Sequence, residues 1–146
     1  MERRPCCQRS MQAYMGKCEI MSIQSSADVV LVRQAVRQVA IEVGFSLVDQ
    51  TKIVTAASEL ARNTLDYGGG GTATLEALQE GNRRGLRLTF TDQGPGIPDI
   101  SLALKDGYTT GNGLGMGLSG TKRLVTEFEI DSKVGEGTTV TVTKWK

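Results

Sequence analysis

The chain has no histidine at all, only three prolines and a single tryptophan, and aromatic residues make up just 5% of it. Without imidazole there is no histidine metal ligand, and no side chain whose ordinary pKa makes it a proton switch near neutrality. The three cysteines, Cys6, Cys7 and Cys18, are an odd number with no zinc-type spacing. Neither a structural metal site nor a disulfide framework is expected from them; reduced thiols of a cytoplasmic protein are. No apolar run approaches the roughly 18 residues that span a bilayer. Met1 to Lys17 carries Arg3, Arg4, Arg9 and Lys17 but no continuous apolar core, so it does not read as a secretory signal. A net charge of +1 leaves no basic stripe for nucleic acid. The expectation is a cytoplasmic protein with no membrane and no nucleic-acid partner.

What is present is the ordinary material of one domain. The 146 residues are 39% hydrophobic and 23% charged, and a chain of this length buries about 70% of its unfolded surface. Residues 1–17 read as a loose polar tail and 18–146 as the domain. Glu19 to Gln24 predicts a first strand. Ser25 to Asp28 offers a helix start, Val29, Val32, Val36, Val39, Ala40 and Val43 keep helical spacing, and Gly44 ends the run. A second helix starts at Ser46 to Asp49, carries Ile53, Val54, Ala57, Leu60, Ala61 and Leu65 on one stripe, and is broken by Gly68 to Gly71. Thr72 to Gln79 and Gly85 to Asp92 predict strands, and 95–112 a long connection with a short helix at Ile100 to Leu104. A helix over Leu118 to Phe128 and a hairpin of Glu129 to Lys133 with Thr138 to Trp145 complete the pattern. The order β-α-α-β-β-loop-α-β-β implies an α/β two-layer sandwich: a mixed, largely antiparallel sheet with helices on one face.

Three short blocks carry the chemistry. In the first, Glu59-Leu60-Ala61-Arg62-Asn63, positions four apart on a helix share a face, so Glu59 and Asn63 point the same way. An amide oxygen suits Mg²⁺, which takes few protein ligands beside water and phosphate, and a carboxylate one turn earlier suits a general base. Alone, such a pair is equally a solvated helix face. Arg62 between them is either a surface charge or a contact for an anionic group. The second block, Asp92-Gln93-Gly94-Pro95-Gly96, closes a strand. A carboxylate there accepts from an exocyclic amine and discriminates against a carbonyl, while Gly94 and Gly96 let the backbone approach a flat ring. Taken alone it is also good turn chemistry.

The third block runs from Thr109 to Gly120, with glycine at 111, 113, 115 and 117, leading into a helix. Such a run offers backbone amides to phosphates, and the helix start adds its dipole. Gly115-x-Gly117-x-x-Gly120 matches the dinucleotide fingerprint in letters but lacks the strand that must precede it. Gly115 to Lys122 is nearly a Walker A sequence with Thr121 and Lys122 in the wrong order. The lysine strand and catalytic loop of eukaryotic-type protein kinases are missing as well.

In order and context, the three blocks resemble the ATP site of the GHKL superfamily, named for gyrase, the heat-shock chaperone Hsp90, histidine kinases and MutL. The resemblance implies the Bergerat ATP-binding fold over 18–146, with ATP and Mg²⁺ as cofactors. It implies Glu59 as the catalytic base and Asn63 as the metal ligand. Asp92, Gly94, Gly96 and Thr138 would hold the adenine of ATP, and Thr109, Gly113, Gly115 and Gly117 would form the phosphate-binding lid. With no histidine, a self-phosphorylating histidine kinase is excluded. The stretches around Glu59, Asp92 and Gly120, and the ending Lys144-Trp145, are similar to RsbT-type switch kinases of bacterial partner-switching systems. That likeness implies a serine/threonine kinase acting on a STAS-domain antagonist held on its scaffold, the stressosome. Once released, the kinase would bind and activate a PP2C-type phosphatase in stress signalling. The alternative is an anti-sigma factor of the same branch, which sequesters a sigma factor and phosphorylates its own antagonist; a scaffold that binds ATP without transferring it is a third reading. The Glu-Leu-Ala-Arg-Asn form and the Lys-Trp ending favour the first.

Overall fold

The computed structural model describes residues 14–97 and 118–146. Strand β1 (Tyr14–Ile23) is followed by helices α1 (Ser26–Val43) and α2 (Leu47–Asp66), then strands β2 (Gly71–Glu80) and β3 (Arg83–Asp92). Helix α3 (Leu118–Leu124) precedes strands β4 (Glu127–Lys133) and β5 (Gly137–Trp145). The two long helices begin where local chemistry starts them. Ser25 Oγ accepts from Asp28 N at 3.4 Å while Asp28 Oδ2 accepts from Gln24 N at 2.9 Å, so the first turn of α1 is capped from both sides. Ser46 Oγ does the same for α2, accepting from Asp49 N at 3.2 Å. Gly44, at φ 99°, ends α1 in the left-handed conformation, its N–H reaching Ala40 O and Ile41 O.

The five strands lie in the order β1-β2-β3-β5-β4, and each neighbouring pair is antiparallel. The expected two-layer sandwich stands, but its sheet, expected to be mixed, is antiparallel throughout the described strands, because β2 with β3 and β4 with β5 pair as hairpins and β5 inserts beside β3. The helix-facing residues of the central strands, among them Leu75, Leu86, Leu88, Phe90 and Val142, pack against Val32, Val36, Ile53 and Leu60 of the helices. Burying each such side chain contributes about 1.5–3 kcal/mol. On the other face Glu76 is only 2% exposed and lies 3.7 Å from Arg87, its cross-strand partner.

Several boundaries differ from expectation. Strand β1 begins at Tyr14, ahead of Glu19. Helix α3 stops at Leu124 although helical spacing continues to Phe128. The reason is a competing period of two: Phe128 and Ile130 face inward between the exposed Glu127, Glu129 and Asp131, which suits an edge strand along β5. Lys144 then ties the end of α3 down, its Nζ donating to Leu124 O at 3.2 Å and lying 3.7 Å from Asp49 of α2. The expected reduced thiols are corrected at Cys18, which is disulfide-bonded; spacing alone does not reveal such a pairing. The short helix expected at Ile100 to Leu104 lies outside the described residues. No helix among the described residues is long and apolar enough to cross a membrane.

Candidate functional site

The strand order decides what meets what. With β5 inserted between β3 and β4, the last residue of β3, Asp92, stands directly opposite Thr138 at the start of β5. Both face the helical layer, where Leu60, Asn63, Thr64 and Tyr67 of α2 and its C-terminal cap look back at them. A pocket opens between the layers, and its other walls are Gly68, Phe90, Pro95, Gly96, Ile97, Leu118 and Val140. One end is therefore a carboxylate and a hydroxyl, and the flanks are an apolar slot suited to a flat ring.

Glycines make this end possible. A Cβ on Gly68 would sit 2.4 Å from Asp92 Cγ, and one on Gly94 would sit 2.7 Å from Gly68 Cα. Gly96 combines a φ of 81° with a Cβ position 2.3 Å from Lys133 O, so any larger residue meets both strain and a backbone clash. Asp92 Oδ1 accepts from Gly94 N at 2.8 Å, which fixes the carboxylate on its own turn and leaves Oδ2 for a ligand. The turn is pinned in place from β4 and the hairpin after it. Gly135 N donates to Pro95 O at 2.7 Å, and Ile97 N donates to Ser132 Oγ at 2.8 Å.

The first sequence block is divided by the fold. Asn63 is half-buried and lines the pocket, with its backbone carbonyl accepting from Tyr67 N at 3.0 Å and Gly68 N at 3.2 Å. Glu59, one turn earlier on α2, is exposed and lies outside the pocket wall, and no described residue binds its carboxylate. Arg62 points elsewhere. Its guanidinium donates to Ser26 Oγ at 3.2 Å and lies 3.9 Å from Asp66, linking α2 to the start of α1. Of the two readings open for Arg62, the surface charge is the one with partners.

Asp92, Gly96, Thr138 and Asn63 thus line one pocket, with Gly94 supporting it from behind. Thr109, Gly113, Gly115 and Gly117 lie outside the described residues. Sequence reasoning missed Gly68, which it read only as a helix breaker, and Ser132, for which no local pattern gives a sign. Their roles depend on which strands and turns meet, and that is a property of the sheet order.

A fit to ATP follows from this donor set. An acceptor-only carboxylate at the strand-built end suits the amine of adenine, the apolar slot suits its ring, and the Asn63 amide can serve a hard cation beside the phosphates. The comparisons with known proteins agree on an ATP-using domain. Residues 48–146 match the family of histidine kinase-, DNA gyrase B-, and HSP90-like ATPases. The chain is 48% identical over 131 residues to the serine/threonine-protein kinase RsbT of Bacillus subtilis (strain 168), covering 90% of this chain and 98% of that protein. It is 28% identical over 138 residues to an anti-sigma F factor of Thermoanaerobacter sp. (strain X514), covering 90% of this chain and 95% of that one. Among solved structures, the RsbU and RsbW domains of a Mycobacterium tuberculosis protein share the fold at a TM-score of 0.62 and 21% identity, over 89% of this chain and 33% of that one. The chain therefore belongs to the histidine kinase-, gyrase- and Hsp90-like ATPase family, and within it to the serine/threonine-protein kinases of the RsbT type.

Proposed function

We propose that this kinase transfers the γ-phosphate of Mg-ATP to a serine or threonine of a STAS-domain antagonist in the cytoplasm. Once released, it binds and activates a PP2C-type phosphatase in a bacterial stress-signalling partner switch. The observation that carries the reading is the division of α2: Asn63 in the pocket wall and Glu59 exposed one turn away, where a partner's hydroxyl can reach it. Glu59 takes the hydroxyl proton as the hydroxyl oxygen bonds to the γ-phosphorus and ADP leaves with the bridging oxygen. Asp92 orients the nucleotide through the base, and the apolar walls keep water from the ring. Asn63 would hold Mg²⁺, which supplies charge neutralisation on the phosphates. The product's phosphate adds about −1.5 to −2 charge at the protein interface, enough to weaken the complex and free the kinase.

The test is transfer from labelled ATP and Mg²⁺ to STAS-domain proteins of the same organism, with Glu59→Ala as control. Phosphoserine or phosphothreonine on one of them, absent with the variant, is expected. Recovery of a sigma factor in place of a phosphatase in a pull-down would instead favour the anti-sigma reading, for which the 28% identity to an anti-sigma F factor is the supporting observation.

A further inference from the structure

We propose that Ser132 is a positioning residue for base recognition: it fixes Thr138 as a hydrogen-bond acceptor and so makes the pocket select a purine with an amine, not a carbonyl, at its 6-position. This rests on the reading of the pocket as a nucleotide site and deepens it.

Ser132 lies on β4 directly opposite Thr138 of β5, just behind the pocket wall. Its Oγ makes three contacts: to Ile97 N at 2.8 Å, to Thr138 Oγ1 at 2.8 Å and to Gly137 O at 3.2 Å. A serine hydroxyl has one proton and two lone pairs. The carbonyl of Gly137 only accepts, so it takes the proton. The N–H of Ile97 only donates, so it takes one lone pair. The remaining lone pair is satisfied only if Thr138 donates. All three contacts hold together in this one arrangement, and it spends the single proton of Thr138 on Ser132.

Thr138 then has nothing but lone pairs to offer the pocket. Its cross-strand partner Asp92 is also an acceptor, with Oδ1 already engaged by Gly94 N. The strand-built end of the pocket is thus a pair of acceptors, which welcomes an amine and sets lone pair against lone pair for a carbonyl. Without the Ser132 hydroxyl, the Thr138 O–H is free to rotate and donate to a carbonyl. Selectivity at the 6-position therefore depends on a residue that does not itself line the pocket.

The experiment measures equilibrium binding of ATP and of inosine triphosphate, which carries a 6-carbonyl and a proton on N1, to the full chain without any transfer step. Wild type is expected to prefer ATP. Ser132→Ala should cut the ATP-to-ITP affinity ratio roughly ten-fold, the scale of one hydrogen bond, and Ser132→Thr, which restores a hydroxyl, should restore the ratio. Thr138→Val should lower the ratio too, and adding Ser132→Ala to it should lower it no further, because the serine acts through that hydroxyl. Equal weakening of both nucleotides by Ser132→Ala, or additive losses of the ratio in the double variant, would make Ser132 merely structural and overturn the proposal. Should Ser132→Ala fail to fold, Thr138→Ser against Thr138→Val decides: the first is expected to keep the ratio and the second to lose it, and equal ratios overturn the role. Wild type binding neither nucleotide would defeat the pocket reading itself, a failure visible before any variant is made.

Discussion

The sheet end of the pocket and the exposed turn of α2 just outside it are built on opposite terms. At the sheet end the polar side chains are held by fixed partners: Gly94 holds Asp92, Ser132 holds both Thr138 and Ile97, and glycines at 68, 94 and 96 leave no space for a larger residue. At the α2 end, Glu59 is exposed and no described residue orients it. Selectivity for a small ligand needs preorganised groups, because a loosely held acceptor loses discrimination. The base proposed at Glu59, acting on another protein's hydroxyl, would have the opposite need, since its orientation can be completed by that protein. The contrast suits an enzyme that recognises its nucleotide alone and its protein substrate only upon docking.

The sharpest way to break the contrast is Glu59→Ala. It should lower transfer to a protein substrate at least about 100-fold, the scale of lost general-base catalysis, and leave nucleotide affinity unchanged by equilibrium titration. A parallel fall in affinity would mean that the two ends are not independent. Asp92→Asn comes next: keeping the shape but replacing a charged acceptor should weaken ATP binding by roughly 10- to 100-fold, again by titration. Asn63→Ala should weaken nucleotide binding about ten-fold in Mg²⁺ and much less when the metal is chelated; equal loss in both conditions removes the metal role. The smallest effect is expected at Arg62→Ala, whose exposed contacts to Ser26 and Asp66 should be worth less than about 0.5 kcal/mol in denaturant unfolding. A larger loss, or a loss of transfer at full stability, would give Arg62 a part at the open end.

Much of this geometry was legible because it is local. Ser25, Ser46 and Gly44 mark helix ends through bonds made within a few residues, and Asp92 announces the end of β3 through its own turn. Glu59 and Asn63 share a helix face by period alone. Where two periods overlap, as between Leu118 and Ile130, the spacing overran α3, because pairing with β5 outweighed helical propensity there. What could not be read is whatever rests on sheet order. Gly68 beneath Asp92 and Ser132 behind Thr138 acquire meaning only once β5 lies between β3 and β4. In type alone, neither residue stands out from the other glycines and serines of the chain.

The single tryptophan has a practical consequence of its own. Trp145 pairs with Gly85 at one end of β3, its Nε1 donating to Glu127 at 3.2 Å and the Arg83 guanidinium lying 4.0 Å from its ring centre, whereas Asp92 sits at the other end of the same strand. At about 3.3 Å per residue the two are roughly 23 Å apart. Its emission will therefore report melting of the sheet while staying blind to whether the pocket is filled. Among the described residues Tyr67 lies in the pocket wall, placed to register occupancy, so the two optical signals can be followed separately in one cuvette.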